Sequence, residues 1–510
     1  MTHPAHTADS RPVYLAQPTA SSAASAGHDV RRLAALIPPL GLLSIAAYLE
    51  ERGLETRVFD FNAFPDDLGA FRQAVAQERP TFLGITCVTA TFNAGLRIAR
   101  AAREILPQIR VVLGGPHASS LREKVLAEYE DIDFCVVGEG EETFCRLVSG
   151  GLNAPESLAG IVFRDENGAP RFTGYPVETL ELDDLPYPAY ERLRGFPEKY
   201  RLPIFSYPRP PGMSIVSSRG CPYACSYCDR SVFRRSFRYN SAAYLYNHMR
   251  FLKEKYDIRH LIFYDDQFTF NRERVAELCH RLIEEPLGLT FNCAVRAEHV
   301  DAELLALMKR AGCWMISLGI ETGDPDLLAR HRSNADLDML ARCIRHIKRA
   351  GIRVKGLLMM GLPGESAASI RRSMKYVRSL PIDEFNLAKF TPFHGLPLYE
   401  KLNELGRFDE DWDRMDCMNF QFIPKGLTRE SLDKSFLEFY KAHFTRPAVW
   451  WNYVTMVWKS PDSWRRFFLN LGDFLRFALK GELTQSHGQP SESATPDSRP
   501  EKGQTGGCRA

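Results

Sequence analysis

Ser218-Arg219-Gly220-Cys221-Pro222-Tyr223-Ala224-Cys225-Ser226-Tyr227-Cys228 is the stretch on which the reading of this chain turns. Its three cysteines, spaced three and then two residues apart, follow a short apolar run at residues 213–216. A loop of that kind can aim three thiolates at one cuboidal 4Fe-4S cluster and leave one iron without a protein ligand. Iron-sulfur clusters normally take four cysteines, whereas catalytic metal sites keep a position open for substrate. A structural zinc site would need a fourth ligand and paired Cys-x-x-Cys halves, and no second half is present.

Composition bounds the setting. A chain of 510 residues is too long for one compact core and implies at least two domains. Lys and Arg number 65 against 63 Asp and Glu, a net charge of +2, which gives no reason to expect nucleic acid. The 12 cysteines are scattered, several inside apolar segments (Cys87, Cys135, Cys293, Cys313), as reduced core thiols are, so a reducing, cytoplasmic setting is expected. Residues 1–25 lack the basic start and apolar stretch of a signal peptide, and no run reaches the roughly 18 apolar residues of a membrane span.

Outward from the cysteines, strand and helix patterns alternate on both sides. Upstream, residues 13–15, 56–61, 82–87, 111–113 and 134–137 read as apolar strands separated by helix-period segments, the pattern of a doubly wound parallel sheet. Ligands of such sheets sit beyond the carboxyl ends of the strands. Those ends carry Thr86 to Thr91, Gly114-Gly115-Pro116-His117-Ala118-Ser119 and Gly138-Glu139-Gly140-Glu141. Glycines there let a flat ligand approach the backbone, and hydroxyls can bond phosphate or amide groups. Residues 158–172 read as a hairpin turning at Asn167-Gly168, and 182–188 as an acidic, proline-bearing linker. Downstream, residues 213–216, 260–264, 290–294, 315–318, 353–359 and 384–390 are six further strand candidates, with candidate active residues again after the strands.

The cysteine spacing, with Tyr227 directly before the last cysteine, resembles the signature of the radical SAM superfamily. Gly319-Ile320-Glu321-Thr322-Gly323 and Gly361-Leu362-Pro363-Gly364-Glu365 resemble loops of the same superfamily. The glycine-bearing loops ahead of the cysteines resemble the cobalamin-binding domain that precedes the radical domain in one large branch of it. The resemblance implies an α/β architecture: an N-terminal doubly wound parallel sheet, a partial barrel of six βα units and a helical C-terminal segment. It implies that Cys221, Cys225 and Cys228 ligate a 4Fe-4S cluster, and that Tyr227, Asp266, Arg296, Glu321, Gly361 and Pro363 bind S-adenosylmethionine. Thr86, Val88, Thr89, Gly114, Gly115, His117, Gly138, Glu139 and Gly140 would border cobalamin. No Asp-x-His-x-x-Gly stretch is present in the N-terminal domain, so no protein ligand to cobalt is expected from His117 or His28. The implied activity is reductive cleavage of S-adenosylmethionine to a 5'-deoxyadenosyl radical, drawing on a one-electron reductant such as flavodoxin or ferredoxin. Methylation of an unactivated carbon is the leading outcome. Radical cyclisation or rearrangement without methyl transfer is the alternative, and a non-catalytic corrinoid or cluster sensor the third.

Residues 450–458 and 464–477 are unusually aromatic. In the second segment, positions 464, 467, 468, 471, 474, 475 and 478 share an apolar face, with Arg465, Arg466, Asp473, Arg476 and Lys480 away from it. Such a segment lies either on the barrel's own core or on a membrane. It motivates two expectations, a hydrophobic small-molecule substrate (lipid, isoprenoid or tetrapyrrole-like) and peripheral contact with the inner membrane face. The expected division is a flexible N-terminus over 1–10, a cobalamin-binding domain over 11–150, hairpin and linker over 151–204, the partial barrel over 205–400, a helical region over 401–483 and a disordered tail over 484–510.

Overall fold

Five short runs near the N-terminus, Val13–Gln17 (β1), Thr56–Asp60 (β2), Phe82–Thr86 (β3), Arg110–Gly114 (β4) and Phe134–Val136 (β5), pair in parallel. The computed structural model describes residues 11–19, 35–177 and 180–471; His28, the expected flexible start and the expected tail lie outside the described residues. The strands read as continuous apolar runs because both faces are covered. Helices Leu40–Glu50 and Glu141–Val148 pack on one face around Leu15, Val112 and Phe144, and Leu68–Glu78 and Phe92–Arg103 on the other around Tyr14, Leu83 and Phe92. Strand order β2-β1-β3-β4-β5 reverses between β1 and β3, which opens a crevice at the strands' carboxyl ends.

The sheet is mixed rather than wholly parallel. Ile161–Arg164 (β6) and Pro170–Phe172 (β7), the hairpin read from sequence, extend it antiparallel beside β5. The Asp165 carboxylate accepts the backbone N–H of Asn167 and Ala169 and fixes the turn, and the hairpin covers an edge that would otherwise be open.

The second sheet starts with Gly212–Ile215 (β8). The short antiparallel pair Ser218–Arg219 (β9) and Arg238–Tyr239 (β10) follows, and then His260–Phe263 (β11), Thr290–Val295 (β12), Cys313–Glu321 (β13), Arg353–Met360 (β14) and Glu384–Lys389 (β15). Six strands pair in parallel in the order β15-β14-β13-β12-β11-β8, the expected partial barrel. Alternating buried and half-buried residues along β14 mark a curved sheet, with helices outside and a lumen inside. The helices start where a side chain can cap them: Ser241, Asn271, Asp301, Asp324, Asp336 and Ser366 each accept a backbone N–H from the first turn.

Gly406–Phe408 (β16) and Phe422–Pro424 (β17) then form a small ribbon. Helices Arg429–Phe444, Pro447–Lys459 and Pro461–Leu469 run to the amino ends of the barrel strands, opposite the cysteine loop. There Ser463 Oγ accepts the N–H of Phe205, and Arg353, the first residue of β14, lies against Met456. Arg466, expected on the outer polar side, is instead buried and donates to the Leu202 carbonyl and the Tyr207 hydroxyl, while Phe468, expected inside, is exposed. Two acceptors for its Nη1 offset part of the cost of burying the guanidinium, whose Nε and Nη2 find no partner. Among the described residues no helix is long and apolar enough to cross a membrane.

Candidate functional site

The cysteine loop is tied at its base. β9 and β10 close residues 220–237 into one excursion, entered through Gly220 at φ +85°, where an added Cβ would strike the Ser236 carbonyl. All three thiols are free. Burial raises the pKa of Cys221, and it pushes Cys228 up to about 12, with Asp266, Cys221 and Cys225 adding to the rise. Crowded thiols that resist ionising on their own suit a cationic iron centre, which would hold them as thiolates. Arg296 Nη1 lies 3.8 Å from Cys225 Sγ and supplies a donor to that sulfur. Among the described residues no three His, Cys, Asp or Glu converge on one metal ion. Thiols that each take a different iron of a cluster need no such common point.

Around this loop stand the residues expected to hold S-adenosylmethionine. Glu321 ends β13 at a register shift and takes φ +63°, a conformation that costs a non-glycine residue and marks functional sites. Burial raises its carboxyl pKa, opposed by Arg332, whose guanidinium lies 3.7 Å away, and by the Tyr227 hydroxyl. Arg296 is held by Glu298 and the Ser333 carbonyl, its Nη1 left toward Cys225. His331, which the sequence reading passed over, joins two loops: its Nε2 donates to the Pro363 carbonyl at 2.7 Å and its Nδ1 accepts from Ser226 Oγ at 2.7 Å. Burial lowers its pKa, in keeping with that neutral tautomer. Gly361 donates its N–H to the Glu365 carboxylate, which burial pushes up to about 8, so Glu365 shapes this loop rather than presenting a charge.

A cavity of about 410 Å³ runs from the carboxyl ends of the first sheet to the barrel mouth. Thr86, Gly114, Gly115, Gly138, Glu139 and Gly140 line it on one side, and Val216, Tyr264 and Asp266 on the other. Its inner part is apolar, with Leu15, Ile45, Val112 and Phe144 around Gly84. Gly114 faces open space, whereas Gly115, at φ +90°, sits where an added Cβ would come within 2.8 Å of the Cys87 carbonyl and Thr86 Oγ1. A cradle of glycines over an apolar recess fits a large planar macrocycle with an appended arm.

Ion pairs hold the two walls together. Glu139 accepts from both Arg219 and Arg238, the two ends of the cysteine loop, and Arg219 Nη2 donates to Glu141 at 2.6 Å. Although Glu141 is fully buried, Arg219 and Ser44 keep its carboxyl below the ordinary range. Glu139 was expected as a cofactor contact; its two oxygens are taken by arginines. Arg219 and Arg238 were missed because their partner lies in another domain and the pairing of β9 with β10 that sets them side by side shows only in the structure.

Val88, Thr89 and His117 stand outside this cavity. Val88 is exposed, while Thr89 and His117 are buried, His117 Nδ1 lying 3.3 Å from Thr89 Oγ1. The His117 ring packs 4.3 Å from Phe92 and 4.8 Å from Trp412, a residue contributed from beyond the barrel strands. Burial, then His394, pushes His117 down to about 3, which makes it a neutral packing residue. His394 itself is paired with Glu410 at 2.7 Å and packs on Tyr399.

Comparison with known proteins agrees with this geometry. The Radical SAM superfamily model matches residues 215–377, and the B12 binding domain model matches residues 29–148. An uncharacterized methyltransferase of Pyrococcus horikoshii is 27% identical over 417 residues, covering 81% of this chain and 89% of its own. The anaerobic magnesium-protoporphyrin IX monomethyl ester cyclase of Rubrivivax gelatinosus is 26% identical over 413 residues, covering 78% and 71%. The fold is shared with TsrM of Kitasatospora setae, a radical S-adenosylmethionine methyltransferase solved with cobalamin and a [4Fe-4S] cluster, at a TM-score of 0.62, 19% identity and 78% coverage of each chain. The chain therefore carries a B12-binding domain and, after it, a radical SAM domain in one polypeptide, the arrangement of the cobalamin-dependent radical SAM enzymes, whose chemistry draws on a 4Fe-4S cluster, S-adenosylmethionine and cobalamin.

Proposed function

We propose that the protein transfers a methyl group to an unactivated carbon of a hydrophobic small molecule, of lipid, isoprenoid or tetrapyrrole-like kind. One observation carries the reading: the carboxyl ends of two parallel sheets open into the same cavity of about 410 Å³, and much of its lining is apolar. When bound, the cluster supplies single electrons, S-adenosylmethionine the methyl group and the radical precursor, and cobalamin the means of carrying the methyl group.

The chain's own residues supply position. Cys221, Cys225 and Cys228 would hold the cluster, and Arg296 Nη1 supplies a hydrogen-bond donor to Cys225 Sγ. Tyr227, Asp266, Arg296, Glu321, Gly361 and Pro363 would border S-adenosylmethionine, with Glu321 accepting from ribose hydroxyls and the Gly361 to Pro363 backbone closing on the base. Thr86, Gly114, Gly115, Gly138 and Gly140 would let the corrin approach the first sheet. The Glu139 pairs keep the two walls in register, and Val216, Phe233 and Tyr264 displace water from the space between them. A flavodoxin- or ferredoxin-like reductant is the partner this chemistry needs, and free buried cysteines suit a reducing cytoplasm.

Likeness to the cyclase favours a second reading, oxidative cyclisation or rearrangement of a tetrapyrrole without methyl transfer. Anaerobic incubation of reconstituted protein with S-adenosylmethionine, reductant, hydroxocobalamin and candidate substrates separates the two. The proposal expects 5'-deoxyadenosine and S-adenosylhomocysteine together and a substrate gain of one CH2. Deoxyadenosine with a substrate change lacking that gain would sink it in favour of cyclisation, and bound cofactors with no deoxyadenosine on any substrate would point to a sensor.

A further inference from the structure

Helix Pro447–Lys459 is apolar all round but buried on one face only. Val449 and Met456 are turned into the barrel floor, while Trp450 (63% exposed), Trp451 (64%), Val454, Val457 and Trp458 (63%) form one outward stripe at spacings of i, i+1, i+4, i+7 and i+8. Phe468 and Leu469 of the next helix are also exposed, Leu469 at 73%. A face of this size and composition, on a helix whose other side already serves the core, is built for contact with something else.

We propose that this face is a membrane-docking surface that seats the floor of the barrel in the interface of an anionic bilayer. Charge chooses the bilayer over a second copy of the chain. The acids nearby are turned inward and engaged: Asp462 accepts from the Tyr207 hydroxyl at 2.7 Å, Asp383 pairs with Lys348, and Glu384 pairs with Arg353. Of the bases beside the stripe, Lys459 is exposed and forms no ion pair among the described residues, and Arg465, its side chain 71% exposed, shares Asp462 with Tyr207 and keeps its outer edge toward solvent. Burial, and then the charges of Arg353, Lys348 and Lys309, push the Lys459 pKa down against the pull of Asp383. A two-fold interface would set these bases against their own copies, whereas anionic headgroups complement them. Three exposed tryptophans beside lysine and arginine are the side chains that favour the headgroup boundary. The surface stands apart from the reaction proposed above, because it lies at the opposite end of the strands from the cysteine loop.

The test is co-sedimentation of the full chain with vesicles of phosphatidylcholine alone or with about 30 mol% phosphatidylglycerol. The parent is expected to sediment with the anionic vesicles and to be released by salt. W450S/W451S/W458S should lower partitioning by about tenfold, and K459E/R465E by about threefold, with iron content and melting temperature unchanged. A parent that stays in the supernatant with every vesicle, or a triple variant that binds as the parent does, overturns the proposal. If sizing instead shows a parent dimer that the triple variant splits, with no vesicle binding, the face joins copies of the chain. None of these readouts depends on methyl transfer, so failure here leaves the proposed reaction standing, and failure of the reaction leaves this surface standing.

Discussion

The two ends of the six-stranded barrel sheet are built on opposite terms. At the carboxyl ends of its strands the chain accepts local cost: Glu321 sits at positive φ, three thiols crowd one another, and carboxylates such as Glu365 are held partly protonated by burial. At the amino ends of the same strands the chain is closed: Arg466, Ser463 and Met456 pack into the floor, with Arg466 Nη1 on the Leu202 carbonyl and Ser463 on the Phe205 N–H. The upper end spends stability to keep donors aimed at ligands, and the lower end restores it by packing. Substitutions at the upper end should therefore change chemistry more than stability, and those below the reverse.

The largest expected break in that contrast is at the cluster. Cys225→Ala should drop iron content to background and abolish deoxyadenosine formation, while Cys87→Ala keeps the iron of the parent; equal iron loss in both would mean that the motif is misassigned. Next comes Glu139→Gln, which removes the charge that Arg219 and Arg238 share at the base of the cysteine loop and leaves Arg219 with Glu141 and Arg238 with the Leu180 carbonyl. Turnover should fall by roughly tenfold or more through lost alignment, with iron retained and stability lowered by about 1–3 kcal/mol because the pair is only partly desolvated. Turnover at the parent's rate would show that the ion pairs do not set the spacing of the walls. Gly115→Ala, whose methyl would meet the Cys87 carbonyl, should weaken cobalamin retention several-fold by equilibrium dialysis at about 1–3 kcal/mol in stability.

At the floor, Arg466→Met should cost about 1–3 kcal/mol in denaturant melts and leave iron and turnover near the parent's; a large loss of turnover would couple the two ends. The smallest effect belongs to His117. Its folded pKa of about 3 lies below the ordinary 6.5, so between these values the unfolded chain holds a proton that the folded chain does not. Stability therefore falls as pH drops below about 6.5, by about 0.8 kcal/mol at pH 6 from this group. His117→Phe should remove that increment, seen as a narrower gap between melts at pH 7.5 and pH 6; an unchanged gap would mean that His117 titrates normally.

Much of this was readable in advance. The barrel strands fall close to where apolar runs between helix-period segments place them, because covering by helices leaves a pattern in neighbouring residues. The face assigned to the second aromatic segment was partly wrong for the opposite reason. Helical periodicity ranks residues by polarity, so it set Arg466 outside, and nothing nearby in sequence reveals the Leu202 carbonyl that draws it in. The hairpin at 161–172 was seen as a hairpin but not as part of the sheet, since its partner β5 is not its neighbour in the turn.

Sequence alone determined the three-thiol loop, the two runs of alternating strands and helices, and the loops at their carboxyl ends. Each rests on spacings of a few residues, where local geometry decides. Tertiary structure decided which of those loop residues face the shared cavity: Gly114, Gly115 and Asp266 do, while His117 is withdrawn against Phe92 and Trp412. It also decided that Glu139 clamps two arginines and that His331 ties Ser226 to Pro363. Those outcomes depend on partners brought from distant parts of the chain and on how far each group is stripped of water, and neither is written in local spacing.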